Sequence, residues 1–230
     1  MLTWSNRSKF PKTIKINVGL KPTQNDAMRT YMDDDDEDEK KGENFMDKLG
    51  DQAKISKKML ERRMVFLWGG VNDESARHVI DRLLFLEADK PGEDIYFYIN
   101  SPGGYVTSGM AIYDVMKMIE SPIHTICMGL AASMGSILLS GGTKGKRSIF
   151  NHGRVMIHQP SLGGFQGTAS DIEIQTNEIV KTKELSAKIL AENCGQTFEK
   201  VMKDFNRDHW LNAEESVAYG IVDSVYTKLK

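Results

Sequence analysis

From residue 57 onward the apolar positions alternate between two periods, short continuous runs and helical stripes. Met64-Val65-Phe66-Leu67-Trp68, closed by Gly69-Gly70, predicts a buried strand. Asp73 can cap a helix whose Ala76, Val79, Ile80, Leu83 and Leu84 fall on one stripe. Pro91-Gly92 predicts a turn, and Ile95–Ile99 is apolar throughout, as a strand covered on both faces should be. Thr107 opens a second helix with Met110, Ala111, Val115 and Met118 on its apolar side. Ile123–Met128 predicts the next strand, and another helix starts directly from Ser133. This alternation predicts an α/β fold of stacked βαβ units with right-handed crossovers. In the C-terminal third, Ser170-Asp171-Ile172-Glu173 has the pattern of a capping box opening a long helix that ends near Gly195. Asn212 and Glu215 repeat the cap before a shorter helix closed by Gly220, and Ile221–Tyr226 predicts a last strand.

The first fifty residues read differently. Asp33–Glu39 is an unbroken acidic run followed by Lys40 and Lys41, and adjacent like charges resist burial, so residues 22–50 are expected to form a mobile linker or tail. Thr13–Val18 alternates polar and apolar and would suit a short edge strand. A solvated leader and a partner-docking segment are the two readings of this flank.

Composition narrows the class. The chain has 230 residues, 40% hydrophobic and 27% charged, with a net charge of −2, which is ordinary for one globular domain with an appendage. That charge gives no electrostatic case for nucleic acid or an anionic membrane. No window approaches a membrane span, and residues 1–7 lack the apolar core of a secretory signal. The two cysteines, Cys127 and Cys194, read as buried thiols of a reducing compartment rather than a disulfide or metal site, and a cytoplasmic location is expected.

Three short stretches carry the chemistry. Ala131-Ala132-Ser133-Met134-Gly135, Met156-Ile157-His158-Gln159-Pro160 and Arg207-Asp208 supply a hydroxyl, an imidazole and a carboxylate, the groups that make a serine nucleophilic at neutral pH. Taken alone, Ser133 reads first as a helix cap, His158 as a hydrogen-bonded core residue and Asp208 as a surface ion pair. His78, His124, His152 and His209 have weaker contexts. Ser101-Pro102-Gly103-Gly104 offers bare amides at a strand end, where α/β sheets place ligands, and a tight turn is the plainer reading. Gly163-Gly164-Phe165-Gln166-Gly167 could pair with an extended peptide or form a flexible loop. Gly145-Lys146 is followed by Arg147 where a phosphate-cradling loop needs Ser or Thr, and position 140 is Ser where it needs Gly, which excludes that motif.

Several of these runs together resemble the proteolytic subunit of the Clp protease (the ClpP family). They are Tyr98–Gly104, Ile126–Gly135, Lys144–Arg147, Arg154–Pro160 with Gly163-Gly164, Ala169–Ile174, Arg207-Asp208 and Ala218–Asp223. The similarity runs from about Leu60 to Val225. The resemblance implies a ClpP/crotonase fold with a long handle helix over Ser170–Asn193, forming a serine peptidase domain over residues 56–230 behind an extension of residues 1–55. It implies Ser133 as nucleophile, His158 as general base, Asp208 as its orienting carboxylate, and the amides of Gly104 and Met134 as an oxyanion hole. It also implies a homo-oligomer of two stacked heptameric rings and an AAA+ unfoldase of the Clp type docking at Tyr96, Tyr98 and Met118. Unfolded polypeptide would be the substrate, with no cofactor and no metal. The chain departs from the family pattern before Met59, where the usual N-terminal elements are missing, at Asn206, where an acid is common, and at Leu130, where glutamine is common. Two other functions remain open: a non-catalytic scaffold subunit of a mixed Clp ring, and a crotonase-type acyl-CoA enzyme.

Overall fold

A computed structural model of the chain describes residues 50–164 and 166–226. The chain divides into two units, 1–53 and 54–230. The readings made for the acidic run and for Thr13–Val18 lie outside the described residues. Residues 50–61 are helical (α1). Then follow β1 (Met64–Trp68), α2 (Asp73–Asp89), β2 (Ile95–Ser101), α3 (Val106–Met118), β3 (Ile123–Ala132) and α4 (Met134–Ser140). The chain continues through β4 (Arg147–Phe150), β5 (Arg154–Ile157), α5 (Ala169–Cys194), α6 (Phe198–Asp204), β6 (His209–Leu211), α7 (Ala213–Tyr219) and β7 (Ser224–Tyr226).

The sheet is mixed but mostly parallel, in the order β1-β2-β3-β4-β7, as expected when helices cover apolar strands. Its buried strand residues Val65, Leu67, Ile95, Phe97, Ile99 and Cys127 meet the apolar stripes of α2 and α3. β3 is longer than its apolar run predicts and, on the edge away from β2, serves two neighbours. Thr125–Cys127 pairs with β4, whereas Leu130–Ala132 pairs with β5, and β6 then adds antiparallel to β5. The end of β3 thus pairs with the β5–β6 ribbon, off the path that continues through β4 and β7.

Three element starts differ from the sequence reading. α2 is capped by Asn72, with Ser75 closing a capping box, so Asp73 is its first helical residue. α5 is capped by Thr168 with Asp171, two residues earlier than the Ser170–Glu173 pattern. α3 begins at Val106 rather than Thr107 and has no side-chain cap. The last strand is also shorter, because residues 221–223 turn back toward β4, where the Asp223 N–H donates to the Arg147 carbonyl.

Two buried arginines tie these layers. Arg63 is 8% exposed and donates to the carbonyls of Leu86 and Lys90 at the end of α2 and of Glu93 and Asp94 in the turn before β2. Arg147, 2% exposed, grips both oxygens of Asp223 at 2.6 and 2.9 Å and donates to the Asn193 carbonyl at 2.7 Å and to the Ser140 carbonyl. It thereby joins the C-terminal ends of α4 and α5 to the turn before β7, where helix dipoles favour a cation. Burial by itself would raise the Asp223 carboxyl, but the bonds from Arg147 outweigh it and hold the pKa below the ordinary value.

Asp223→Ala would leave the guanidinium buried and unpaired, a loss of about 3–5 kcal/mol. Because the folded pKa is lowered, this stabilisation is complete above the unfolded pKa, about 4, and disappears as pH falls through the folded value. Urea unfolding of wild type and variant should therefore differ widely at pH 7 and converge in acid. Equal stability at pH 7 would contradict the role given to the pair.

Cys127 and Cys194 are buried free thiols, each pushed up to about 12 by burial. Among the described residues, no helix is long and apolar enough to cross a membrane.

Candidate active site

Strand pairing and the turn at Ser133 together bring the three chemistry-bearing residues to one place. β5 runs parallel to β3 with Ala132 opposite Met156, which sets Ser133 level with Ile157, one residue before His158, and the Ser133 N–H donates to the Met156 carbonyl at 2.8 Å. β6 runs antiparallel to β5 with Ile157 opposite His209, so the next pair outward is His158 and Asp208. The side chains complete a chain of bonds: His158 Nε2 lies 2.8 Å from Ser133 Oγ, and Nδ1 lies 3.1 Å from Asp208 Oδ1. An ionised carboxylate only accepts, so this contact assigns the proton to Nδ1 and leaves Nε2 to accept from the serine hydroxyl.

Ser133 is held in a left-handed conformation, φ 54° and ψ −122°, which costs a non-glycine residue about 1–3 kcal/mol. It occupies the N-cap position of α4, yet its side chain makes no cap bond. The hydroxyl is turned to His158 instead, and that choice separates this residue from an ordinary cap. A chain of this shape can pass the serine proton to the imidazole as the oxygen attacks an electrophile, with the carboxylate steadying the cation that forms. The His158 side chain is 26% exposed and that of Asp208 61%, so the chain opens to solvent at its acidic end.

The glycine loop packs directly against this turn. Gly103 has φ +90°, and a Cβ there would fall 2.6 Å from Ser133 Cβ and 2.9 Å from Met134 N. Gly104 bridges to Val71. The Val71 N–H donates to the Gly103 carbonyl, and the Tyr105 N–H donates to the Val71 carbonyl, both at 2.8 Å. In a trans peptide the N–H opposes the carbonyl, so anchoring the Gly103 oxygen on Val71 turns the Gly104 N–H away from Val71. Among the described residues, neither the Gly104 nor the Met134 N–H donates a hydrogen bond. A Cβ on Gly104 would fall 2.1 Å from the Val71 oxygen. Gly104→Ala must therefore break the bridge, and a lowered unfolding midpoint equivalent to about 1–3 kcal/mol is expected. An unchanged midpoint would show that the loop yields freely.

Sequence reasoning missed what holds Asp208 in place. The Gln159 N–H donates to the Phe205 carbonyl at 2.6 Å, and its side chain donates to the Asn206 carbonyl at 2.7 Å and the Asn206 Oδ1 at 3.3 Å. These bonds clamp the segment before β6 onto the residue after His158. Trp210 on β6 covers the Arg154 guanidinium at 5.7 Å. No spacing signal could have exposed either contact, since both depend on β5–β6 pairing. The remaining candidates lie apart from the triad. Tyr96 and Tyr98 alternate onto one face of β2, where Tyr96 stacks on His124 at 4.7 Å and Tyr98 on Phe66 at 5.1 Å. Met118, at the end of α3, is 78% exposed.

Fold and site together define an α/β protein with a hydrogen-bonded Ser–His–Asp chain beside unpartnered backbone amides. The family model described as Clp protease matches residues 48–229, and the chain belongs to that family. It is thus a Clp-type peptidase, a hydrolase, and membership implies association with Clp ATPases and assembly into rings.

Proposed function

We propose that the protein is a serine endopeptidase that hydrolyses unfolded polypeptides through an acyl-enzyme. Ser133 Oγ attacks the scissile carbonyl as His158 Nε2 takes its proton. The tetrahedral oxyanion is held by the N–H groups of Gly104 and Met134. The proton then passes from His158 to the departing amine, and water, activated by the same imidazole, releases the acyl group. Asp208 orients the imidazole and stabilises its charged form. One observation carries this reading: a serine at a helix cap whose hydroxyl is bonded to an imidazole at 2.8 Å instead of capping the helix.

The same reading assigns the rest of the chain. Extended substrate pairs with the glycine-rich segment 163–167, so that main-chain bonds dominate and sequence tolerance is broad. The exposed apolar residues Ile172, Ile174 and Val180 of α5 support a contact joining two seven-membered rings around an enclosed chamber. Tyr96, Tyr98 and Met118 receive the ATP-driven unfoldase, residues 1–55 form a separate extension from the peptidase domain 56–230, and the protein works in the cytoplasm.

Labelling with a fluorophosphonate tests the chemistry. The assembled protein should take one label per chain, located at Ser133 by peptide mass. An assembly that cleaves peptides yet carries the label elsewhere, or none, would overturn the assignment.

A further inference from the structure

β2 and β3 carry the two halves of the proposed chemistry, the Gly104 amide just beyond the C-terminal end of β2 and Ser133 just beyond that of β3. Their register is not continuous up to those ends. Ile99 stands opposite Cys127, but Ser101 stands opposite Ala131, so β3 advances four residues while β2 advances two. The surplus is taken up around Gly129, whose φ is +93°. Such a bulge could settle in more than one offset unless something pins it.

Asn100 sits between the two registers and is bonded on both sides. Its backbone carbonyl accepts from the Gly69 N–H at 2.9 Å, toward β1. Its side-chain Oδ1 accepts from the Leu130 N–H at 3.2 Å, toward β3. Oδ1 thus supplies, inside the bulge, the acceptor that regular pairing would have drawn from the backbone. A Cβ on Gly129 would come within 3.1 Å of Oδ1, so the bulge and the amide are fitted to each other. One residue further on, Ser101 Oγ accepts the Gly103 N–H at 3.1 Å, carrying the fixed offset into the glycine loop.

We propose that Asn100 is a positioning residue for the oxyanion site. By holding Leu130 through Oδ1 it sets the offset between the strand that delivers the Gly104 amide and the strand that delivers Ser133. The proposal rests on the serine-peptidase reading above. Its consequence is specific: losing Oδ1 misplaces an amide that works mainly in the tetrahedral state, so kcat falls and KM does not.

The test compares Asn100→Ala, which removes the acceptor, with Asn100→Asp, which keeps an oxygen for the Leu130 N–H. Both are assayed as the full assembled chain on a fluorogenic peptide, and inhibition by a peptide aldehyde, which forms a tetrahedral adduct, is measured alongside. Asn100→Ala should lose about 10- to 100-fold in kcat, with KM within about threefold and aldehyde affinity falling in parallel. Asn100→Asp should stay within about fivefold of wild type on all three, as a retained hydrogen bond requires. The proposal is overturned if Asn100→Ala keeps its kcat, if the loss appears in KM, or if Asp fails to rescue. Should Asn100→Ala not fold, Asn100→Leu, close in volume and without an acceptor, replaces it under the same criteria. Failure of the underlying reading looks different: peptide hydrolysis would then survive Ser133→Ala, and the aldehyde would inhibit no variant.

Discussion

Ser133→Ala is expected to lower kcat for peptide hydrolysis by about 10⁶-fold while leaving the assembled particle and its unfolding midpoint nearly unchanged. The separation of the two effects follows from the local geometry. The hydroxyl caps nothing, and its bond to His158 is its contact with the rest of the chain. Removing the oxygen thus deletes the proposed nucleophile without orphaning a helix amide. Alanine also keeps the Cβ already accommodated at φ 54°, so the strained turn is no worse. The Gly104 and Met134 amides remain, and a residual rate about 10³–10⁴ above water is the expected floor. His158→Ala should fall to the same floor, and the double variant no lower, as expected if the proposed nucleophile and base act as one unit. The assay is fluorogenic peptide turnover beside calorimetry and the mass of the native particle. A Ser133→Ala protein that assembles and retains more than about one per cent of the rate would place the chemistry elsewhere.

Much of the fold could be read from periodicity, and the departures have local physical causes. Buried parallel strands are apolar on both faces, so β1, β2 and the first part of β3 stood out; the helices between them carried single stripes. Cap positions slipped by one or two residues because neighbouring polar residues compete. Thr168 with Asp171 and Ser170 with Glu173 satisfy the same spacing, and the structure selects the first, with Asp171 accepting from both the N–H and the hydroxyl of Thr168. β6 is only three residues long, His209–Leu211, too short for any period, yet its pairing with β5 sets Asp208 against His158. The two buried arginines were invisible for a different reason. Hydropathy places Arg63 and Arg147 at the surface, and only the gathering of helix-end carbonyls around them shows why burial is tolerated.

The candidate site divides in the same way. Its residue types were legible as a hydroxyl, an imidazole and a carboxylate, and each read alone was most simply structural. What spacing does not encode is the convergence of positions 133, 158 and 208. That comes from β3 pairing parallel with β5 and β5 pairing antiparallel with β6. Asn206 illustrates the gap: as a bare letter it was a departure from a family pattern, whereas in the fold its carbonyl and side chain anchor Gln159 next to the imidazole.

Asp208→Asn should lower kcat by about 10²–10⁴-fold with little change in KM, and the size of the loss reports how the imidazole is held. The carboxylate accepts from Nδ1 and so keeps Nε2 free to take the serine proton. An asparagine amide presenting its NH2 group to Nδ1 would enforce the opposite tautomer, with Nε2 carrying the hydrogen and unable to act as base. The upper end of the range belongs to a buried aspartate whose replacement cannot reorient. Here the side chain is 61% exposed, and solvent both screens its charge and lets an amide rotate its oxygen toward Nδ1. Asp208→Ala separates these contributions, since it removes the acceptor without imposing the wrong tautomer. If tautomer control dominates, Asn is the worse replacement; if charge stabilisation of the imidazolium dominates, the two variants fall together. Single-turnover labelling by a fluorophosphonate reads the same step without product release and should decline in proportion to kcat. Full activity in both variants would remove Asp208 from the mechanism and leave a serine–histidine pair oriented by the Gln159 clamp alone.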